Sequence, residues 1–128
     1  MNGHKDEIAR GGIDFEIHGT LQVIREAMLA DVESEEGTGK LAAVPGLRIC
    51  AKTGTAQVTD ERNKVVDHTT WFASYAPYDN PRYVVLVMVE SGQSGGGTCA
   101  PVAKKIFEAI QYQETHRPRT PTIAEVGR

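Results

Sequence analysis

Thr69 to Glu90 read TTWFASYAPYDNPRYVVLVMVE, two largely apolar runs separated by Tyr78, Asp79, Asn80 and Pro81. Asp, Asn and Pro are selected by tight turns, because the first two bond their own backbone and the third presets φ. The stretch therefore predicts a β-hairpin, with one strand over 69–77 and another over 82–90. Val84 to Val89 are apolar without interruption, which is the pattern of a strand covered on both faces near the middle of a sheet. That strand is expected to be the most buried part of the chain.

Working upstream, LRICAKTGTAQV over 47–58 places Leu47, Ile49 and Ala51 at alternate positions, a half-buried strand. The polar stretch Thr59 to Asp67 is expected to be the loop that joins it to the hairpin. Earlier still, Ile17, Leu21, Ile24, Met28 and Val32 recur at spacings of three and four, an amphipathic helix with one buried stripe. SEEGTG, Ser34 to Gly39, ends it. Downstream, SGQSGGGT over 91–98 is expected to be a mobile glycine loop, with Thr98 capping a helix whose stripe is Val102, Ile106, Ala109 and Ile110. Helix, three consecutive strands and helix imply an α+β fold, an antiparallel sheet of about three strands flanked by N- and C-terminal helices.

A chain of 128 residues fits one domain. The expected organisation is a flexible segment over 1–16, the folded unit over 17–112, and a Pro- and Arg-containing disordered tail over 113–128. A net charge of −3 and a pI near 5.8 offer no broad basic surface, which argues against nucleic acid as partner. Cys50 and Cys99 sit among small or apolar neighbours and read as buried thiols; a disulfide stays open but is not expected. No run approaches the ~20 apolar residues of a membrane span, and the first dozen residues lack a signal peptide's apolar core.

Two glycine-rich stretches imitate nucleotide motifs. EGTGKL, from Glu36, has Leu41 where a P-loop needs Ser or Thr. GGGTCA, Gly95 to Ala100, matches a dinucleotide fingerprint formally, but the helix after it leads to a proline-rich tail and not to a second parallel strand. No cofactor is expected. His4, His18, His68 and His116 are scattered without ligand spacing, so no metal is expected either, and His68 is assigned a structural role.

AKTGTAQ, Ala51 to Gln57, is more specific. A glycine inside a strand marks a place where a ligand or another backbone comes close; the plain alternative is an edge strand whose Lys52 deters aggregation. Taken in order, AKTGTAQ, HTTWFASYAPYDNPRYVVLVMVESGQSGGG and APVAKKIFEAI resemble the C-terminal part of the transpeptidase domain of class B penicillin-binding proteins. The APYDNPRY turn and the VESG stretch are more similar to the elongation type, penicillin-binding protein 2, than to the division type. The resemblance covers about Leu21 to Tyr112 and implies a partial penicillin-binding, β-lactamase-like transpeptidase fold.

The resemblance implies acyl transfer through a serine ester, with peptidoglycan stem peptides ending in D-Ala-D-Ala and β-lactams as ligands. By position, Lys52 takes the role of the family lysine that supplies positive charge near the serine machinery, and Thr55 that of the residue contributing a hydroxyl and a backbone N–H. Thr53, Gly54, Ala56 and Gln57 are implied to bind substrate, Gly54 by leaving room along the strand edge. On a regular strand Lys52 and Thr55, three apart, face opposite ways, so such a site must use the strand's edge and backbone.

The departures are larger than the match. The family serine in S-x-x-K and the second motif S-x-N lie upstream of KTG, and none of Ser34, Ser74, Ser91 or Ser94 has Lys three residues on or Asn two on. Ala51 also replaces the usual glycine before the lysine. The expectation is therefore a transpeptidase piece with the third motif and no nucleophile, inactive alone. Its parent would work at the outer face of the bacterial cytoplasmic membrane. The strand over 83–89 would lack the early strand it pairs with in the family, inviting association with the missing N-terminal part or with another copy. The rival expectation is a free-standing, non-catalytic peptide-binding or interaction module.

Overall fold

The structure is a computed structural model and describes residues 15–118. The expectations for residues 1–14 and 119–128 lie outside the described residues. Helix α1 runs Phe15–Glu33, a short 3-10 turn spans Lys40–Ala42, and three strands follow: β1 Cys50–Thr59, β2 Val65–Ala76 and β3 Tyr83–Glu90. A π-helical turn over Gly95–Cys99 leads directly into helix α2, Ala100–Thr115. The sheet order is β1-β2-β3, antiparallel throughout, so the α+β arrangement expected from the hairpin is what forms.

The β1–β2 connection is tighter than the polar stretch implied. Asp60 Oδ1 accepts the backbone N–H groups of Arg62 at 2.8 Å and Lys64 at 3.0 Å, and Asn63 takes the left-handed φ of 57° that Asn tolerates. This Asp-anchored turn frees Val65 to Asp67 to join β2, and Thr59 pairs with Val65.

One face of the sheet makes the core. The register places Ala51, Phe72, Val85 and Val87 on that face, where they cluster with Cys99, Ala100, Ala103 and Phe107 of the C-terminal helical segment. Thr70 and Ser74 share the face and satisfy their buried hydroxyls by donating to the carbonyls of Val89 (3.0 Å) and Val85 (2.7 Å). Cys50 and Cys99 are buried free thiols, as the sequence implied.

Several expectations change. The strand β3 is an edge strand and is buried on one face only: Val85 and Val87 are inside, while Val84, Leu86 and Met88 are 82 %, 61 % and 48 % exposed. Its uninterrupted apolar run reflects a second face that α1 meets only at the Cys50–Tyr75 end, where Cys50 Sγ lies 3.7 Å from Arg25 O, and that is otherwise open among the described residues. In α1 the buried side is Leu29 and Val32, with Leu21 and Met28 half-buried, and Ile24 turns to solvent. In α2 the inward stripe is Ala100, Ala103, Phe107 and, partly, Ile110; Val102, Ile106 and Ala109 are exposed. At its start the helix lies close on the sheet, so the small Ala100 and Ala103 make the contact, while Phe107 further along fills the core. The segment assigned to the tail from residue 113 begins as helix, because α2 continues through Thr115.

The glycine loop is also not loose where it matters. Helical geometry starts at Gly95, not after Thr98, and the cap is Ser94, whose Oγ accepts from Gly97 N at 2.9 Å. Thr98 Oγ1 instead accepts from Gln93 N at 3.1 Å. Gly95 is buried, and a Cβ there would lie 2.3 Å from Trp71 O and 2.8 and 2.9 Å from Gly54 O and N.

Candidate functional site

The site is built on β1, whose one edge is bonded to β2 and whose other edge pairs with no strand among the described residues. Opposite partners on β2 are Ala73 for Lys52, Phe72 for Thr53, Trp71 for Gly54, Thr70 for Thr55, Thr69 for Ala56 and His68 for Gln57. Strand alternation then puts Lys52, Gly54 and Ala56 on the uncovered face, with Trp71, Leu86 and Met88. Thr53, Thr55 and Gln57 lie on the α2 side. The opposed directions of Lys52 and Thr55 are thus what the strand period demands.

Lys52 is exposed, and its Nζ donates to Thr53 O at 2.5 Å. Thr53 is half-buried and ends a short relay. Its Oγ1 is 2.6 Å from Thr38 Oγ1, which donates to Asp31 Oδ1 at 2.7 Å while Thr38 N donates to the same oxygen at 3.1 Å. A hydroxyl has one proton. Because Thr38 gives its proton to the carboxylate, Thr53 must donate to Thr38, and its oxygen is left free only to accept. Among the hydroxyls that line this side, that of exposed Thr55 makes no bond and that of Ser94 only accepts from Gly97 N, so both keep a proton to donate.

Thr53, Gly54 and Thr55 form one wall of a hollow of about 500 Å³ whose other walls are Gly37, Thr38, Lys40 and Leu41 and the Ser94–Gly97 turn. The fold therefore gathers three of the six candidate residues. Lys52 faces away from this hollow, and Ala56 and Gln57 lie further along the exposed strand, outside its lining. The residues that sequence reasoning missed are Thr38, Lys40 and Ser94 to Gly97. Their stretches read only as a helix stop and a loop, and nothing in their spacing foretold that they would meet at one strand.

Gly54 itself has room: a Cβ there would make ordinary contact with Trp71 Cβ at 3.5 Å. The close approach lies at Gly95, whose missing Cβ lets its backbone rest against Gly54 O and N from the α2 side.

The four serines all carry structural bonds. Ser74 donates to Val85 O, Ser94 caps the π turn, Ser34 Oγ accepts from Glu36 N, and Ser91 donates to Asp67 Oδ2 at 2.5 Å. That bond from Ser91, with the backbone N–H of His68, holds the Asp67 carboxyl below the usual carboxylate range, which makes it a weak base. Burial pushes the Cys50 thiol up, away from the thiolate that a nucleophile requires. His68 sits half-buried on β2 opposite Gln57. Among the described residues no three His, Cys, Asp or Glu side chains gather to hold a metal ion, and no helix is long and apolar enough to cross a membrane.

Comparison with known proteins gives this geometry a lineage. Residues 17–108 match the family model of the penicillin binding protein transpeptidase domain. The chain is 35 % identical over 98 residues to the peptidoglycan D,D-transpeptidase MrdA of Haemophilus influenzae, covering 68 % of this chain and 15 % of that protein. It is 40 % identical over 97 residues to the penicillin-binding protein PbpB of Mycolicibacterium smegmatis, covering 73 % and 15 %. Among solved structures it resembles the transpeptidase domain of FtsI4 from Legionella pneumophila, with a TM-score of 0.57 and 34 % identity over 70 % of this chain and 34 % of that one. It also resembles penicillin binding protein 3 of Mycobacterium tuberculosis complexed with ampicillin, with a TM-score of 0.65 and 28 % identity over 80 % and 26 %. The chain spans 15 to 18 % of the length of the first curated relatives. With the family model matched over most of its length and the three-stranded sheet shared with solved transpeptidase domains, the chain belongs to the transpeptidase family of class B penicillin-binding proteins.

Proposed function

We propose that this chain supplies one wall of a peptidoglycan D,D-transpeptidase site, the Lys52-Thr53-Gly54-Thr55 strand, and that the serine it serves belongs to polypeptide outside these residues. The observation that carries the reading is the position of that tetrad on the open edge of β1, inside the segment that matches the family. An extended stem peptide can lie along such an edge and bond its backbone. Thr55, exposed and with its hydroxyl proton unspent, binds the anionic end of a D-Ala-D-Ala peptide or a β-lactam. Its backbone N–H joins the groups that stabilise the oxyanion. Lys52 sets positive charge beside the serine machinery from the uncovered face. Gly54, Thr53, Ala56 and Gln57 line the edge along which the peptide runs.

The reaction of the whole site is acyl transfer: a serine oxygen attacks the penultimate D-Ala carbonyl, terminal D-Ala leaves, and a stem-peptide amine then displaces the serine. Within these residues no serine has the S-x-x-K or S-x-N spacing, so the chain alone makes no ester. The complementary N-terminal part of the domain is its partner, seated on the face that carries Lys52, Trp71, Leu86 and Met88. The APYDNPRY turn and VESG stretch support the elongation type, acting at the outer face of the cytoplasmic membrane.

The hollow at Thr53 and Thr55 excludes Lys52, and this favours a second reading, a stand-alone module that binds peptide without acylating. Titration with a D-Ala-D-Ala peptide followed by 15N NMR separates the two. The half-site reading expects no saturable shifts at millimolar peptide, because an open strand edge with one wall buries too little ligand. Saturation below about 100 μM, roughly −5.5 kcal/mol, centred on Thr53 to Thr55, would establish the module instead.

A further inference from the structure

We infer that Asp31 and Thr38 are positioning residues of the Lys52 to Thr55 wall, fixing the direction in which the Thr53 hydroxyl gives its proton; the inference rests on the proposed use of that wall by a bound peptide. Asp31 Oδ1 accepts from both Thr38 N (3.1 Å) and Thr38 Oγ1 (2.7 Å), so one carboxylate oxygen holds Thr38 by backbone and side chain together. Thr38 Oγ1 lies 2.6 Å from Thr53 Oγ1. With one proton per hydroxyl, donation runs only from Thr53 to Thr38 to Asp31, and the charge at the end strengthens both bonds. Asp31 Oδ2 is buried and meets no donor among the described residues. A buried oxygen without a donor carries a desolvation cost, which a side chain needed only to stop a helix would not retain.

The surroundings hold Thr38 in place. Its segment folds back over the end of α1, with Gly39 N donating to Asp31 O at 2.9 Å and Lys40 Nζ to Glu35 O at 3.0 Å. From the other side the π turn closes on it: a Cβ at Gly96 would lie 2.1 Å from Thr38 O and 3.8 Å from Thr53 Cγ2. The Thr53 methyl therefore faces the turn while its hydroxyl faces Thr38. Three segments far apart in sequence converge on one pair of hydroxyls, and the consequence falls on the ligand. Thr55 and Ser94 keep free protons at the hollow, whereas an anionic group gains the Thr53 proton only by taking it from Thr38. A ligand N–H, by contrast, can bond the Thr53 oxygen with the relay intact. Asp31 and Thr38 thereby set the donor and acceptor pattern of the wall without touching the reacting atoms.

NMR on the full chain in equal parts of H2O and D2O reads the relay, because a hydroxyl proton held in a bond exchanges slowly and gives separate protonated and deuterated signals at its 13Cβ. Thr38 and Thr53 are expected to show such pairs, and Thr55 one averaged line. Thr38→Val keeps the side chain's shape but removes the acceptor, so the Thr53 pair should merge; Thr38→Ser should restore it. Sodium acetate probes the ligand side, and linear, unsaturated shifts suffice. In the wild-type chain the acetate slope at the Thr55 and Ser94 side chains should be about threefold that at Thr53, since only the first two have protons to give. Thr38→Val should bring Thr53 level with them. Asp31→Ala, which leaves the order of donation unfixed, should raise the Thr53 slope as well, whereas Asp31→Asn, whose carboxamide oxygen still accepts, should not. Thr38 is exposed, so its variants should fold, and the wild-type readings stand without them. An averaged Thr53 line in the wild-type chain overturns the inference. So does a pair that survives Thr38→Val, a Thr53 slope equal to that of Thr55 before any substitution, or one indifferent to Asp31→Ala. None of these readings involves acylation, so penicillin labelling of this chain would sink the half-site reading and leave the relay standing.

Discussion

Gly95→Ala is expected to cost about 3 kcal/mol or more, lowering Tm by roughly 15 °C, although it adds one methyl group. The new Cβ would lie within 3 Å of three backbone atoms, Trp71 O, Gly54 O and Gly54 N. Backbone atoms of two paired strands cannot swing aside as a side-chain tip can. The helix must then lift from the sheet, which opens the contact of Cys99, Ala100 and Ala103 with Phe72. The same motion would tear the wall of the hollow formed by Ser94 to Gly97. Gly19→Ala is the control: it lies in α1 with nothing within 4 Å of a new Cβ, and it should stabilise by up to about 1 kcal/mol through helix propensity. Thermal melts of the two variants check the contrast, and a Gly95→Ala melt within 3 °C of wild type would contradict the close packing described.

Phe72→Ala and Trp71→Ala should differ as sharply, although the residues are neighbours and both aromatic. Phe72 is fully buried between the sheet and α2 beside Phe107, and its loss leaves a cavity in the core; about 3–5 kcal/mol is expected. Trp71 is 37 % exposed on the uncovered face, and about 1 kcal/mol is expected for the chain by itself. Urea unfolding measures both. A large loss at Trp71 would mean that its face is covered in solution.

The hairpin was legible because Asp79, Asn80 and Pro81 state a turn in their own chemistry, and β2 and β3 followed from it. What β3 touches was not. Val84 to Val89 report that both faces suit apolar surroundings, and periodicity alone does not say whether the chain that provides them is present. The same ambiguity hides the helix stripes. Val102 and Ile106 look like core by size, yet Ala100 and Ala103 make the contact because close approach selects small side chains. In the site, KTGT announced itself through its types and order, and the opposed faces of Lys52 and Thr55 followed from strand period. The meeting of Thr53 with Thr38 and Asp31, and of Gly54 with Gly95, depends on where two connections cross the sheet. No local pattern in SEEGTG or SGQSGGGT encodes that crossing.

The central claim is that this chain carries the lysine and threonine wall of a transpeptidase site without the serine that forms the ester. Incubation of the 128-residue chain with a fluorescent penicillin, followed by denaturing electrophoresis and intact mass, tests it most directly. The expected result is an unchanged mass and no fluorescence that survives denaturation, since Ser34, Ser74, Ser91 and Ser94 are held in structural bonds and the Cys50 thiol is buried. A stoichiometric adduct of one penicillin, mapped to any residue of this chain, would contradict it.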